Sequence, residues 1–290
     1  MPRNTTLAHA SPPVPDSTHE IRGGGGVKLH VREWGNPGGP VLLFIHGWSQ
    51  CDLCWVNQVR GDLSRAFRIV TFDIRGHGLS AQPLGPEHYA DGQLWADDVA
   101  SVVDQLGLEQ PTLVAWSYAG HIVADYLRAY GDSLIGAINL VGASELLQPP
   151  AFDHIGPGLL ENVQGMCSED LSVNIAATRR FLHACTSSPL GNDEMATALG
   201  WNMVVPASVR GALLSRQLDG SDVLANVTVP VLVTHGREDV IVMPSMAERT
   251  LAVCPVATAS WYERVGHMPF WEDPDRFDHE LASLARSAVS

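Results

Sequence analysis

Ser117 stands between a short apolar run, Thr112-Leu113-Val114-Ala115-Trp116, and a helix-like stretch that opens Tyr118-Ala119-Gly120. That setting can turn a hydroxyl into a nucleophile. A strand that turns abruptly into a helix strains its central residue, lifts the Oγ out at the sheet edge and aims the following amides at a bound group. The turn crowds the positions two before and two after the serine, which must be small. Both are alanine here, Ala115 and Ala119, where glycine is usual. The pentapeptide alone fits equally a serine that merely ends a buried strand. The rest of the chain breaks the tie, because an activated serine needs a histidine to take its proton and a carboxylate to hold the imidazole, in the chain order Ser, Asp or Glu, His. Val229-Pro230-Val231-Leu232-Val233-Thr234-His235-Gly236-Arg237-Glu238-Asp239 reads as a strand delivering Asp239 at its carboxyl end, with Glu238 as the competing acid. Ser260 to Val265 reads as the last strand, and Gly266 frees His267 to reach back.

Negative charge developing on a tetrahedral intermediate needs two preorganised donors. Val41-Leu42-Leu43-Phe44-Ile45 is a buried strand ending in His46-Gly47-Trp48, so the Trp48 amide supplies one donor and the Tyr118 amide, next after the serine, the other. His46 reads as structural, bonding the neighbouring loop. The side chains of Trp48, Tyr118 and Met268 are expected to wall a substrate pocket. His121, four residues after Ser117, is expected to point down the side of its helix and is not the base, which must approach from a separate loop.

The sequence resembles the α/β-hydrolase fold family from about Val27 to Phe277. The resemblance rests on His46-Gly47-Trp48, Phe72-Asp73-Ile74-Arg75-Gly76-His77-Gly78-Leu79-Ser80, the turn around Ser117, His235-Gly236-Arg237-Glu238-Asp239 and Gly266-His267. Ala115-Trp116-Ser117-Tyr118 and Gly266-His267-Met268-Pro269-Phe270-Trp271 are similar to small esterases and cofactor-free haloperoxidase-like perhydrolases. Serine at 117 sets the chain apart from relatives with an aspartate nucleophile. The resemblance implies ester or lactone hydrolysis through an acyl-enzyme on Ser117, with perhydrolysis or carbon–carbon bond hydrolysis as alternatives and no metal or organic cofactor. A protein that keeps the fold to sense a ligand, with slow or absent turnover, is the rival of another class. His77 lies in a loop common in the family and is expected to brace the turn.

Stepping along the chain, short apolar runs alternate with amphipathic segments, the pattern of a mostly parallel central sheet flanked by helices. Val27 to Trp34 alternates like an antiparallel opening strand after the glycine run Gly23 to Gly26. Arg68 to Asp73 and Ile135 to Val141 read as further strands. Leu94 to Leu106 reads as a helix stopping near Gly107, and a second helix runs from Ser117 to Gly131. Residues 23–143 and 227–290 are thus expected to form the core and 1–22 a flexible tail. Between Ser144 and Asn226 no strand-like run occurs, and Pro149-Pro150, Gly156-Pro157-Gly158, Ser187-Ser188-Pro189 and Pro206 break the segment into short helices. The family resemblance makes 144–226 a helical cap. Phe152, Leu159, Met166, Phe181, Leu182, Trp201, Met203 and Val204 suit the lining and packing of such a lid.

At 290 residues the chain is long enough for one large α/β domain. Its 18 basic and 32 acidic residues give a formal charge of −14 with no basic run longer than a pair such as Arg179-Arg180, which argues against nucleic acid or anionic membrane as partners and leaves a small-molecule substrate. No secretory signal or bilayer-spanning run is evident, so the expectation is a soluble, cytoplasmic protein. Nothing in the sequence decides for or against a homodimer. Five cysteines, an odd number, argue against a disulfide framework. Cys51-Asp52-Leu53-Cys54 has metal-like spacing but no second ligand pair at a matching interval, so packing at the pocket edge is the reading preferred.

Overall fold

Apolar runs buried from end to end make the middle of the sheet in the computed structural model, which describes residues 13–147 and 151–288. The strands are β1 (Ser17–Arg22), β2 (Lys28–Gly35), β3 (Val41–Ile45), β4 (Arg68–Phe72), β5 (Thr112–Trp116), β6 (Ala137–Val141), β7 (Leu146–Leu147), β8 (Leu218–Asp219), β9 (Val231–Gly236) and β10 (Ala257–Tyr262). Eight of them form one sheet in the order β1-β2-β4-β3-β5-β6-β9-β10. From β4 to β10 all neighbours are parallel, while β2 is antiparallel to both β1 and β4. The pattern has a direct cause. Strands β3, β5 and β6 are buried at every residue because helices cover both faces, so they show no alternation, whereas β2 at the sheet's antiparallel end alternates as its sequence does.

The expected tail ends earlier than Arg22. Thr18, Glu20 and Arg22 point outward and Ile21 inward, and the segment pairs residue for residue with β2, so Ser17–Arg22 is an edge strand; its polar alternation hid it. Helices Gly92–Gln105 and Ala119–Tyr130 pack against each other, close to their expected bounds. Asp91 caps the first by accepting from the Gln93 amide, and Gly131, at φ 68°, ends the second in a conformation that suits glycine.

Between β6 and β9 nearly all the regular elements described are helices: a 3-10 turn at Ala151–His154, then Pro157–Leu160, Val163–Met166, Leu171–Ala184, Asn192–Met203, Ala207–Leu214 and Ser221–Leu224. The exception is the pair β7 and β8, two residues each and antiparallel, too short to leave a strand signal. The break expected at Pro149-Pro150 lies outside the described residues, as does the side chain of Phe152. Arg210 knits these helices together from a fully buried position. Its guanidinium donates to the carbonyl of Met166 at 2.7 Å, to Asn174 Oδ1 at 2.6 Å and to the carbonyl of Asn202. No helix among the described residues is long and apolar enough to cross a membrane.

Candidate active site

Strand β5 ends at Trp116 and the next helix starts at Ala119, leaving Ser117 to make the turn at φ 58°. A left-handed conformation costs a non-glycine residue about 1–3 kcal/mol and persists only where its surroundings hold it. They do here. The Ser117 amide donates to the Val141 carbonyl at 3.0 Å, and its own carbonyl accepts from the amides of Gly120 and Ser144 at 3.0 and 3.1 Å. Ala115 and Ala119 fit fully buried, and the tightest approach falls instead at Gly120, where a Cβ would lie 2.5 Å from the Ser144 carbonyl oxygen.

Two neutral histidines set the loop after β3. His46 accepts from the Ile74 amide at Nε2 (3.1 Å), so its Nδ1 carries the proton and donates to the Gly47 carbonyl at 2.9 Å. Burial lowers its pKa to about 4. His77 likewise accepts from the Ser49 amide at Nε2 (3.0 Å) and donates from Nδ1 to the Arg75 carbonyl at 3.0 Å. Both therefore brace the loop. Gly47 brings that loop against the serine, since a Cβ there would stand 2.9 Å from Ser117 Cβ. The amides of Trp48 and Tyr118 donate to no acceptor among the described residues.

His267 lies 1% exposed between Trp116, whose indole nitrogen donates to the His267 carbonyl at 3.0 Å, and Gly142, where a Cβ would come within 3.0 Å of Nδ1. Its Nδ1 meets Asp239 Oδ2 at 2.7 Å. The other oxygen, Oδ1, accepts from the amides of Ile241 at 2.8 Å and Val242 at 3.1 Å. Burial alone raises the Asp239 carboxyl, but His267 and His235 outweigh it and hold the pKa at about 2. Glu238, by contrast, is exposed. His267 Nε2 is buried without a partner among the described residues, so no hydrogen bond joins it to Ser117 in this state.

Ser117 opens into a cleft of about 420 Å³, part of it open to solvent. Trp48, Tyr118, His121 and Ser144 line it from below, Leu159, Phe181 and Leu214 from the helical segment, and Ile241 and Val242 from the loop after Asp239. Trp48 Nε1 and the Tyr118 hydroxyl donate to the carbonyls of Arg210 and Leu213 at 3.0 and 3.1 Å, fastening helix Ala207–Leu214 over the serine. Arg216 closes the same junction through Asp125 at 2.7 Å. Of the three side chains expected at a pocket wall, Trp48 and Tyr118 line the cleft, whereas Met268 is buried but is not part of the lining. Of the apolar residues expected around a lid, Leu159 and Phe181 face the cleft, Met166, Leu182 and Trp201 are buried, and Val204 is exposed.

Two residues escaped the sequence reading. His235 donates to the Val242 carbonyl at 2.9 Å and lies 3.3 Å from Asp239 Oδ2, a second imidazole on the same carboxylate. Its place four residues before Asp239 at a strand end was the available signal. His121 lines the cleft rather than the helix side expected for it. Among groups with metal-binding donors, Cys51, Asp52 and Asp73 bring their atoms within 4.8 Å of one another. Their lone pairs serve the protein: Asp52 takes both bonds from Arg32 at 2.7 and 2.8 Å, and Asp73 accepts from the amides of Asp52 and Leu79 at 2.8 Å. Cys51 and Cys54 are buried, and burial pushes both thiols up.

The sequence matches the model of the alpha/beta hydrolase family over residues 42–280. The bifunctional esterase/perhydrolase DCH of Acinetobacter calcoaceticus is 30% identical over 230 residues, 75% of this chain and 80% of its own. A non-heme haloperoxidase of Rhodococcus erythropolis is 26% identical over 274 residues, 90% of this chain and 97% of its own. Among solved structures, esterase RhEst1 from Rhodococcus sp. ECU1013 superposes with a TM-score of 0.89 at 34% identity, covering 94% of this chain and 99% of that one.

Proposed function

The chain belongs to the alpha/beta hydrolase family and is a hydrolase acting on esters, and from that premise we propose that it works through an acyl-enzyme on Ser117. The substrate proposed is a carboxylic ester or lactone of small to medium size and partly hydrophobic character. The observation that carries the reading is the buried pair of His267 Nδ1 and Asp239 Oδ2 at 2.7 Å, with the far nitrogen of the same ring left unbonded. Asp239 fixes the tautomer with hydrogen on Nδ1, so Nε2 is the free base. His267 takes the Ser117 proton as Oγ attacks the carbonyl carbon, and the unpaired amides of Trp48 and Tyr118 receive the oxyanion. The imidazolium then protonates the leaving alcohol, and water repeats the sequence to release the acid. The hydrogen bond between Ser117 and His267 forms as substrate settles, such bonds being commonly long in the unliganded enzyme.

The apolar lining supports an uncharged ester, because burying a charge there carries a desolvation cost. We assign residues 144–226 as the cap, since Leu159, Phe181 and Leu214 close over Ser117. The five unpaired cysteines fit a reducing compartment such as the cytoplasm. Perhydrolysis is a second reading, favoured by the esterase/perhydrolase relative: hydrogen peroxide would replace water at the acyl-enzyme and release a peracid. A chromogenic ester series of increasing acyl length tests the proposal. Turnover that rises with chain length and collapses once the cleft is filled is expected, while inactivity across the series would refute it. Peracid formation in the presence of carboxylic acid and peroxide tests the second reading.

A further inference from the structure

Four polar side chains besides Ser117 border the cleft, and three of them are spent. Trp48 Nε1 donates to the Arg210 carbonyl, the Tyr118 hydroxyl donates to the Leu213 carbonyl and accepts from Arg216 at 3.3 Å, and Ser144 Oγ donates to the Leu146 carbonyl at 3.0 Å. The fourth is His121, 2% exposed and packed edge-on against the Tyr118 ring with centroids 5.0 Å apart. Its Nδ1 is buried with no hydrogen-bond partner among the described residues. A ring nitrogen buried unpaired is costly, and an otherwise apolar wall gains nothing from it unless a bound molecule completes the bond.

Building on the reading of Ser117 as nucleophile, we propose that His121 is a substrate-binding residue that recognises an uncharged hydroxyl, and that the preferred substrates are hydroxylated esters. A neutral imidazole offers one donor and one acceptor, and a hydroxyl, which can donate or accept, can pair with a ring nitrogen in either tautomer. Burial, with the Arg216 guanidinium nearby, lowers the His121 pKa to about 3, so the ring carries no charge with which to hold a carboxylate at neutral pH. Arg216 is not available for that task either, being paired with Asp125 at 2.7 Å. His121 is also set apart from the base, because among the described residues no carboxylate is hydrogen-bonded to it as Asp239 is to His267.

The test uses matched esters in which a hydroxyl replaces a methyl, one pair differing in the acyl part (phenyl 3-hydroxybutyrate against phenyl 3-methylbutyrate) and one in the alcohol (2-hydroxyethyl butyrate against propyl butyrate). A site built to bond a hydroxyl rejects the analogue without it, so the wild-type protein should favour the hydroxylated member of at least one pair by about 10- to 100-fold in kcat/KM, mostly through KM. His121→Leu should bring that ratio toward one. His121→Asn, which places an amide near the Nδ1 position, should restore part of it. A fluorophosphonate adduct at Ser117 confirms that each variant keeps a formed site, and if the leucine variant fails to fold, the wild-type ratio and the asparagine variant decide. Wild-type turnover of both members at equal kcat/KM, or a preference that survives His121→Leu, overturns this inference alone. Absence of turnover on every ester, with no adduct at Ser117, overturns the acyl-enzyme reading and this inference with it.

Discussion

Replacing Asp239 by asparagine removes one charge and almost no volume, yet its consequences can be worked through atom by atom. Oδ1 accepts from the Ile241 and Val242 amides, and these two donors need an acceptor. The asparagine carbonyl oxygen therefore takes that place, leaving the NH2 where Oδ2 stood, 2.7 Å from His267 Nδ1. His235 offers the NH2 no alternative, because its nearer nitrogen already donates to the Val242 carbonyl. An NH2 facing Nδ1 makes Nδ1 the acceptor and moves the ring proton to Nε2, the atom that must accept from Ser117. The ring is then a base with its lone pair turned the wrong way, and kcat should fall about 10⁴-fold with the geometry intact. Stability responds in a separate way. The folded pKa of about 2 lies below the ordinary aspartate value of 3.8, so the carboxylate contributes about 2 kcal/mol above pH 4, lost as the pH falls through about 2. Asp239→Asn should thus differ from wild type most in Tm at pH 7 and least near pH 2. Ester turnover, fluorophosphonate labelling rate and melting curves check all three statements. Activity within tenfold of wild type, or a greater loss in Glu238→Ala with folding intact, would refute the reasoning.

Other perturbations follow from the same geometry. Gly47→Ala would push a methyl to 2.9 Å from Ser117 Cβ and 3.1 Å from the Trp116 carbonyl oxygen, displacing the Trp48 amide; kcat should drop about 10²-fold or more with KM little altered, as steady-state kinetics would show. Burial raises the Glu145 carboxyl from 4.5 to about 7, so ionising it destabilises the fold as pH rises through that window. Glu145→Gln should therefore gain up to about 3 kcal/mol over wild type at pH 8 and little at pH 5, read from denaturant unfolding at the two pH values.

Much of the sheet was legible because its strands are buried on both faces and so appear as continuous β-branched and apolar runs: Val41–Ile45, Thr112–Trp116 and Val231–Gly236 all lie where their sequences place them. Ser17–Arg22 was not, because an edge strand with one inward residue, Ile21, looks like a polar linker. At the site, Asp239 could be preferred over Glu238 from its position at the loop tip, and burial separates the two in the structure. The bonds of His46 and His77 match the bracing expected of them, His46 from its place at a strand end next to glycine and His77 from its loop's likeness to one common in the family. His121 defeated the helical-wheel argument for a geometric reason: the helix begins only at Ala119, so Ser117 lies off its wheel and an i+4 spacing does not fix their relative direction. His235 and Met268 depend on how β9 and the turn after β10 fold back on each other, a long-range packing that local sequence does not encode.

The central claim is that Ser117 is the nucleophile, and intact-protein mass after incubation with a fluorophosphonate tests it most directly. A single adduct on the wild-type protein, mapped to Ser117 and lost in Ser117→Ala together with ester turnover, is the predicted result. An adduct elsewhere, or a Ser117→Ala protein that hydrolyses esters at the wild-type rate, would contradict it.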